Sequence, residues 1–362
     1  MVRKLKKVTI QAMVAVNMAA IIALIFVGYS DRLDPVSHPL LCNTGLAFPA
    51  VLIVNLLFLV FWAVFRFRLV IIPFIGFVVC FVPVRKYTPF NIRHDVPRDA
   101  IKVLSYNVWM FGNGEKKSTD NPILQYIRRQ NADLVCLQES DAKLIGQEIV
   151  DSVLNPVYAY RDTAVSIMGG DMMTVYSKYP ILRHEHININ SQSNQSTAFW
   201  IDMDGRQVIL IGCHLQTTGL SPEDKTEFKE LVKGDMERDS IRSSSANLIH
   251  KLSEATVKRG PQADAVAAFI RRHQHESIIL CGDFNDSPIS YVHRTIAQDL
   301  TDCYIATGNG PGISYHHGGF YVRIDNIMCS TDWIPYACRI DTEIDESDHY
   351  PIVCWLKKEA KK

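Results

Sequence analysis

The chain has 362 residues and a formal net charge of zero, but the charge is unevenly distributed along it. Residues 1–98 contain 11 lysines and arginines against 3 aspartates, a net charge of +8, and the remainder contains 27 basic and 35 acidic residues, a net charge of −8. The C-terminal part therefore lacks the broad basic surface typical of nucleic-acid-binding domains. The nine cysteines show neither CxxC pairs nor zinc-ligand spacing, so neither a zinc site nor a redox motif is indicated.

Three apolar segments follow the basic start of the chain, Met1–Lys7. Val8–Tyr29 and Leu40–Phe65 contain no charged residue and are long enough to cross a bilayer, which takes a helix of about 20 residues. Leu69–Val84 is shorter and contains two prolines, so it is predicted to be a tilted span or a re-entrant segment. A signal peptide is the alternative for the first segment, but no convincing small-residue cleavage site precedes Asp31.

Residues 1–87 are therefore interpreted as a transmembrane region of about three helices (8–29, 40–65 and 69–84), and residues 88–98 as a linker. Basic residues favour the cytoplasmic side, and three crossings would place the N-terminus inside and everything after the linker outside. The basic residues that favour the opposite orientation are Arg85, Lys86, Arg93 and Arg98. We predict a multi-pass integral membrane protein with the lipid bilayer as a partner and an extracytoplasmic C-terminal domain.

Strands alternate with helices after residue 99, and several strands end in a polar residue. Ile101–Tyr106 is predicted to deliver Asn107, and Asp133–Gln138 is predicted to deliver Glu139. Further strands are predicted at Met173–Ser177, Ile181–Ile189, Thr197–Met203, Gln207–Cys213 (which delivers His214) and Pro351–Leu356. Helices are predicted from an N-cap at Asp120 to about Gln130, over Ala142–Leu154, from Pro261, and from Pro288 to about Gln298. The charged stretch Gln216–Gly260 has a helical pattern and is interpreted as an elaboration above the strand ends.

The stretch Ser277–Pro288, with the sequence SIILCGDFNDSP, combines a short apolar run with a polar turn. Asp283, Asn285 and Asp286 follow the run, so two carboxylates and an amide are predicted at the end of a buried strand. A phosphate-ester enzyme needs such a cluster to hold a divalent cation and align a water molecule. Ordinary turn chemistry is the alternative interpretation.

A second unusual feature is Asp325, in the middle of the apolar run Phe320–Met328, which is predicted as a strand. An unpaired charge buried there would be costly, and a histidine is the natural partner. Asp348 and His349 precede the last predicted strand. The sequence contains no Walker A loop, GxGxxG or GxSxG motif, so serine hydrolase chemistry is not indicated.

Five separated stretches, taken together, resemble the motifs of the endonuclease/exonuclease/phosphatase superfamily: SYNVW, LQE, GCHLQ, GDFND with RIDNI, and SDHYPI. The resemblance covers residues 99–358. It implies an α/β (α+β) fold, a four-layer α/β/β/α sandwich of two packed mixed sheets, here preceded by an N-terminal transmembrane helical region. The superfamily includes deoxyribonucleases, neutral sphingomyelinases and inositol polyphosphate 5-phosphatases, so the resemblance implies a metal-dependent hydrolase of phosphate esters without identifying its substrate.

The same resemblance implies a metal site and a water-activating group. Glu139 corresponds to the principal ligand of Mg²⁺, for which Mn²⁺ is the alternative, and Asn107 and Asp348 assist it. Asp283 corresponds to the carboxylate that orients or deprotonates the attacking water. An additional acidic ligand that some nucleases of the group have two positions after the first Asn is absent, because Trp109 stands there.

The remaining matches concern the phosphoryl group. Asn285 and His214 correspond to groups that bind its oxygens as charge develops. His349 corresponds to the histidine of the family, and Asp325 to the carboxylate that fixes its tautomer and stabilises its charged form.

The leading interpretation is a membrane-anchored, Mg²⁺-dependent phosphoesterase that hydrolyses a phosphodiester or phosphomonoester by metal-assisted attack of water. A lipid or small phosphoester is favoured over nucleic acid because the C-terminal part is acidic and anchored. A membrane-tethered endonuclease or exonuclease is the first alternative. A catalytically silent binding module on an anchor is the second, and the intact set of eight site residues argues against it.

Overall fold

The N-terminal region of this computed structural model is helical, and the structure describes residues 2–191, 193–233 and 238–359 of the chain. Its helices are α1 (Val2–Gly28), α2 (Pro39–Cys42), α3 (Phe48–Phe65), α4 (Ile71–Val79) and α5 (Phe81–Tyr87). Two helical segments, Lys4–Arg32 and Pro39–Phe65, are long and apolar enough to cross a membrane. Both coincide with segments that the sequence analysis singled out, which indicates membrane association.

The third apolar segment is broken near Cys80. Its two parts, Phe67–Val79 and Phe81–Tyr87, meet at 68°, which fits either a broken third span or a re-entrant loop. Pro83 has no N–H to donate to the carbonyl of Val79, four residues earlier. The hydroxyl of Tyr29 donates to that carbonyl instead, at 2.7 Å, so the bend leaves the freed acceptor satisfied.

Buried polar side chains join α1 to α3. Trp62 Nε1 donates to Asn17 Oδ1 at 2.9 Å, and Asn55 Nδ2 donates to the carbonyl of Ala20 at 3.0 Å. Interhelical hydrogen bonds of this kind stabilise helix pairs in an apolar surrounding. The two long helices are therefore a packed antiparallel pair.

The rest of the described chain is built from two mixed six-stranded sheets. The strands are β1 (Ile101–Asn107), β2 (Leu134–Gln138), β3 (Tyr160–Val165), β4 (Met172–Ser177), β5 (Ile181–Ile187), β6 (Gln195–Met203), β7 (Arg206–His214), β8 (Ser277–Asp283), β9 (Thr301–Asp302), β10 (Asp325–Cys329), β11 (Trp333–Ile340) and β12 (Ile352–Lys358). The first sheet has the order β11-β12-β1-β2-β4-β3 and the second has the order β5-β6-β7-β8-β10-β9. The helices of this part are α6 (Trp109–Asn113), α7 (Pro122–Gln130), α8 (Gln147–Leu154), α9 (Pro222–Lys233), α10 (Arg238–Arg272), α11 (Tyr291–Ile296) and α12 (Cys303–Thr307). Of these, α6 is a left-handed turn, because the φ angles of its five residues are all positive, from 43° to 75°.

The two sheets pack face to face and their outer faces are covered by helices. Val103 and Val175 of the first sheet share one buried cluster with Leu210 and Ile279 of the second. The outer face of the first sheet packs against α7 and α8, and that of the second packs against α10 and α11. This is the predicted four-layer α/β/β/α sandwich, and the burial of alternating apolar residues on both sides of each sheet explains it.

Strand direction brings the ends of four strands to one edge of the sandwich. The parallel strands β1 and β2 are in register from Val103 to Asn107, which lies opposite Gln138. The parallel strands β7 and β8 are likewise in register, with His214 opposite Asp283. Since parallel strands end at the same edge, the polar residues that follow them lie together.

Three predicted helix starts are wrong. The N-cap of α7 is Asn121, not Asp120, because the Asn121 side chain accepts hydrogen bonds from the N–H groups of Ile123 and Leu124. The helix predicted from Pro288 begins at Tyr291, with the Ser290 hydroxyl as its cap.

The third wrong start is Pro261, which lies inside the continuous helix α10. A proline within a helix costs about 3 kcal/mol. Buried residues on both sides of it, such as Ala255 and Ala263, pack the helix against its neighbours, and this burial offsets the cost. The helix predicted over Ala142–Leu154 is instead interrupted by Gly146, whose φ is +93°.

The strand predicted over Phe320–Met328 is shorter than expected. It begins at Asp325, which is therefore the first residue of β10 and not its middle. The hydroxyl of Ser314 accepts hydrogen bonds from the N–H groups of both Ile324 and Asp325, each at 3.0 Å. These bonds fold the preceding residues into a loop over the strand end.

The N-terminal region is packed against the sandwich. Ile289, which precedes α11, shares a buried cluster with Leu24, Val27 and Phe48 of the apolar helices. Thr256 Oγ1 of α10 donates to Asn43 Oδ1 at 2.8 Å. Residues 30–47, the connection between α1 and α3, thus contact the same side of the sandwich that carries α10 and α11.

Candidate active site

The eight residues singled out in the sequence lie together at the strand ends. Five of them line a cavity of about 260 Å³: Glu139, Asp283, Asn285, Asp348 and His349. Asn107, His214 and Asp325 lie behind these residues and contact them. A larger cavity of about 1150 Å³ lies between residues 90–97 and β11 and is lined by none of the eight. Their catalytic and metal-binding roles remain predictions.

Two of the site residues have left-handed backbone conformations. The φ angles are +51° at Glu139 and +53° at Asn285, values that non-glycine residues seldom adopt. Each residue follows the end of a buried strand, and the sharp turn directs its side chain into the cavity. Such conformations persist where the surrounding structure enforces them, which is frequent at functional sites.

His349 lies between two buried carboxylates. Its Nδ1 is 2.8 Å from Asp325 Oδ2, the partnership expected from the sequence, and its Nε2 is 3.6 Å from Asp283 Oδ2. Burial lowers the pKa of His349, but the charges of Asp325 and Asp283 outweigh burial and raise it to about 10. The imidazole is therefore a cation at neutral pH and can donate to an anionic oxygen.

His214 belongs to a second histidine–carboxylate pair, which the sequence analysis missed. Its Nδ1 lies 3.1 Å from Oδ2 of the buried Asp171, and its Nε2 lies 3.6 Å from Glu139 Oε1. Burial lowers the pKa of His214, and the negative charge of Asp171, followed by Glu139 and Asp283, raises it to about 10. Asp171 directly precedes β4 in a Gly-Gly-Asp turn, a composition too common in loops to single it out.

Asp283 is held in place by its neighbours. The backbone N–H of Asn285 donates to Asp283 Oδ1 at 2.7 Å, and the Asn285 side chain donates to the carbonyl of Leu215 at 3.0 Å. Burial raises the pKa of Asp283 to about 6, although His349 beside it acts in the opposite direction. The carboxylate is thus ionised at neutral pH and able to accept a proton.

Asn107 orients Glu139 in this conformation. Its Nδ2 donates to Glu139 Oε1 at 3.1 Å and reaches Asp283 Oδ2 at 3.4 Å. Its Oδ1 accepts the N–H of Trp109 at 3.2 Å. A direct metal ligand would present Oδ1 to the cation, whereas in this conformation Asn107 presents Nδ2 to Glu139, so the predicted ligand role of Asn107 would require its side chain to turn.

The donors at the site fit a hard divalent cation. Glu139 and Asp348 offer carboxylate oxygens to the cavity, the ligand type preferred by Mg²⁺ and Mn²⁺. Among the described residues, Asp283, Asp325 and His349 also bring ligand atoms within 4.8 Å of one another. That second cluster is also compatible in composition with a cation, although Nδ1 of His349 is already bonded to Asp325.

Two further residues line the cavity without a signal in the sequence. The Tyr315 ring lies edge-on to His349, with centroids 5.1 Å apart. Lys225 Nζ of α9 donates to the Tyr315 hydroxyl at 2.8 Å. Lys225 comes from the charged stretch 216–260, where one lysine among many could not be singled out.

Comparison with known proteins identifies the fold and the family. A family model described as Endonuclease/Exonuclease/phosphatase family matches residues 104–349, and a domain of unknown function matches residues 10–87. No curated protein matches the chain.

Solved structures share the fold of the sandwich. A humanized D. rerio TDP2 is 13% identical with a TM-score of 0.50, over 72% of this chain and 100% of that chain. D. rerio TDP2 complexed with single strand DNA product is 14% identical with a TM-score of 0.50, over 72% and 99%. An endonuclease/exonuclease/phosphatase from Beutenbergia cavernae is 17% identical with a TM-score of 0.50, over 72% of each chain. These identities establish the fold alone, whereas the family model covers more than half of the chain. With its two packed sheets and its cluster of acidic and histidine residues at their edge, the chain belongs to the endonuclease/exonuclease/phosphatase family.

Proposed function

We propose that the protein is a membrane-anchored phosphoesterase that hydrolyses a phosphodiester or phosphomonoester with the help of Mg²⁺, or of Mn²⁺ in its place. The observation that carries the proposal is the arrangement of Asp283, His349 and Asp325 beside Glu139 in one cavity. Members of the family are metal-dependent hydrolases of phosphate esters, and this array contains a base, a cation and a metal ligand.

The chain's own residues supply the proton transfer. Water attacks phosphorus as it loses a proton, one ester P–O bond breaks, and the departing oxygen takes up a proton from solvent and leaves as an alcohol. Asp283, ionised at neutral pH, accepts the proton of the water. His349, which is protonated and lines the cavity, donates to the phosphoryl oxygens as their charge increases, and the protonated His214 behind Glu139 adds positive charge to the site.

Glu139 and Asp348 would hold the cation, and Asn107 would keep Glu139 in place. The bound cation would neutralise charge on the phosphoryl oxygens and orient the substrate. Phosphate esters resist attack because their oxygens are negative, so the two imidazolium groups and the cation act on the same barrier.

The proposal includes a compact or membrane-borne substrate in preference to duplex DNA. The net charge of −8 after residue 98 is opposite to what binding of several phosphates requires. The long apolar helices support anchoring in a membrane, where lipids are abundant. A membrane-tethered nuclease is the competing outcome of the test.

The test uses the full chain in lipid nanodiscs. We expect Mg²⁺- or Mn²⁺-dependent hydrolysis of bis(p-nitrophenyl) phosphate or p-nitrophenyl phosphate that EDTA abolishes. Glu139→Gln should reduce the rate by about 100-fold or more, whereas Glu185→Gln, on the exposed strand β5, serves as the matched control and should retain it. Absence of metal-dependent hydrolysis of any phosphoester would overturn the proposal, and efficient plasmid nicking without turnover of small esters or lipids would favour the nuclease.

A further inference from the structure

The cavity has a polar end and an apolar wall. Glu139, Asp283 and His349 form the polar end. The apolar wall is contributed by separate parts of the chain: Leu46, Leu220, Leu252, Phe320 and Val322. Hydrolysis of a phosphate ester requires only the polar end, so the apolar wall is available to contact a different, apolar part of the substrate.

Leu46 connects this wall to the transmembrane region. It lies in the connection between α1 and α3, two residues before α3 begins, and its side chain is 41% exposed. The neighbouring Gly45 packs so closely on the carbonyl of Ile289 that a Cβ there would lie 2.2 Å from its oxygen. The connection is therefore fitted to the sandwich, and Leu46 holds a defined place beside the site.

The length of α3 sets the depth of the cavity relative to a bilayer. Its 18 residues span about 27 Å at 1.5 Å per residue, close to the hydrocarbon thickness of about 30 Å. With α3 across the bilayer, Phe48 lies at the boundary of the hydrocarbon layer and Leu46 at the level of the lipid head groups. The cavity that Leu46 lines then lies beside the layer in which lipid phosphates reside.

Resting on the proposed function, we propose that the substrate is a phospholipid of the adjoining leaflet, whose phosphoester enters the cavity past Leu46. The cavity volume of about 260 Å³ is below the range of about 300–1,000 Å³ that encloses drug-sized ligands. It holds a head group but not acyl chains, which stay in the bilayer. Leu46 and Leu252 then contact the part of the lipid between the phosphate and its chains.

A cationic group also lies at the cavity. Lys225 lines it and donates to the Tyr315 hydroxyl, so one positive charge stands beside the apolar wall. A phospholipid presents an anionic phosphate next to hydrocarbon, which is the combination that this cavity offers.

The test compares two leucines of one connection. Leu41 is 42% exposed, like Leu46, but does not line the cavity. The full chain is placed in nanodiscs of phosphatidylcholine, phosphatidylethanolamine, phosphatidylglycerol, phosphatidylserine and sphingomyelin, and lipid products are measured by mass spectrometry. The rate for bis(p-nitrophenyl) phosphate is measured in the same preparation, and the ratio of lipid to soluble-ester turnover is the readout.

We expect turnover of at least one of the lipids, and a ratio that falls by ~10-fold or more in Leu46→Glu because apolar contact with the lipid is lost. Leu46→Ala should lower the ratio in the same direction but less, and Leu41→Glu should change it by less than ~3-fold, as a surface substitution away from the site does. Melting temperatures establish that each variant folds. Hydrolysis of the soluble ester without turnover of any lipid, or equal effects of Leu41→Glu and Leu46→Glu, would overturn this inference and leave the proposed function standing. Absence of all hydrolysis would overturn the proposed function itself.

Discussion

We expect Asp325 to act on catalysis through His349. The carboxylate is almost fully buried and holds the imidazole at 2.8 Å, and its charge helps to raise the pKa of His349. Asp325→Asn keeps the shape but removes the charge, so we expect a melting temperature near that of the wild type and turnover slower by about 100-fold or more. The pair between His184 and Asp162 on the surface is of the same type, 2.7 Å apart and partly exposed, so Asp162→Asn is the control. Wild-type turnover in Asp325→Asn would contradict the assigned pairing.

A third buried histidine–carboxylate pair, between His293 and Asp302, leads to a prediction about stability. His293 Nε2 lies 2.7 Å from Asp302 Oδ2. Burial lowers the pKa of His293 below its usual value near 6.5, although Asp302 acts in the opposite direction. The unfolded chain therefore binds a proton at His293 more readily than the folded one, so this stabilisation is complete above pH 6.5 and decreases as the pH falls.

We expect the melting temperature in detergent to fall between pH 7 and pH 5. It should fall less in His293→Gln, because that variant lacks the titrating imidazole. One such group changes the free energy of unfolding by at most about 1.4 kcal/mol per pH unit. The pKa of Asp302 is also lowered, but the carboxylate affects stability only well below pH 5, where it begins to be protonated. His184→Gln is the control on the surface. An unchanged pH slope in His293→Gln would show that folding does not lower the pKa of His293 and would contradict this prediction.

At the level of elements, the end of β8 depends on a glycine. Gly282 has a φ of +133°, and a Cβ at this position would lie 2.0 Å from the carbonyl oxygen of Cys213 in the neighbouring strand β7. Gly282→Ala must therefore separate the two strands just before Asp283. Gly205, in the hairpin turn between β6 and β7, also has a positive φ but has nothing within 4 Å of its Cβ position.

We expect Gly205→Ala to lower the free energy of unfolding by about 1 kcal/mol, the cost of placing alanine at a positive φ. Gly282→Ala should lower it by at least about 2 kcal/mol more, because its Cβ also clashes with the neighbouring strand. Thermal unfolding in detergent measures both. Hydrolysis should also be lost in Gly282→Ala, because Asp283 moves. Equal melting temperatures of the two variants would contradict the close approach of β7 and β8.

Elements with a strong local signal were predictable from the sequence, and others were not. Ile101–Tyr106 and Ser277–Cys281 are short apolar runs bounded by polar turns, and both are strands of the structure. The first residue of a helix depends on which side chain accepts a hydrogen bond from the free N–H groups of the first turn. Asp120 and Asn121 are both good N-cap residues, so the sequence alone does not distinguish between them. Pro261 was misleading because tertiary burial keeps α10 continuous.

The candidate site was predictable where a polar residue follows a strand, as Glu139 and Asp283 do. Asp171 precedes its strand, and Leu46 lies in the membrane region, more than 90 residues before Glu139 in the chain. Asp171 and Leu46 reach the site because segments far apart in the chain pack together. The periodicity of a sequence predicts local structure and not such long-range contacts.

At the scale of the whole molecule, the N-terminal helical region has two distinct ends. Lys6, Lys7 and Arg66 surround one small cavity, at the end of α1 and α3 that is remote from the sandwich. The connection 30–47 and Tyr87 lie at the opposite end, where Lys86 Nζ is bonded to Asp31 at 2.6 Å. The bent segment after Arg66 runs from the first end to the second, as a third crossing would.

We therefore expect the N-terminus in the cytoplasm and the catalytic part outside, because basic residues at the remote end favour the cytoplasmic side. In bacterial cells, alkaline phosphatase fused after Lys362 should be active, and a fluorescent protein fused there should be dark. The same two reporters fused after Arg68, between the second and third crossings, should give the reverse pattern and serve as the control. Fluorescence from the fusion after Lys362 would mean that the segment 67–87 does not cross, so that the site would face cytoplasmic phosphoesters and the inner leaflet instead.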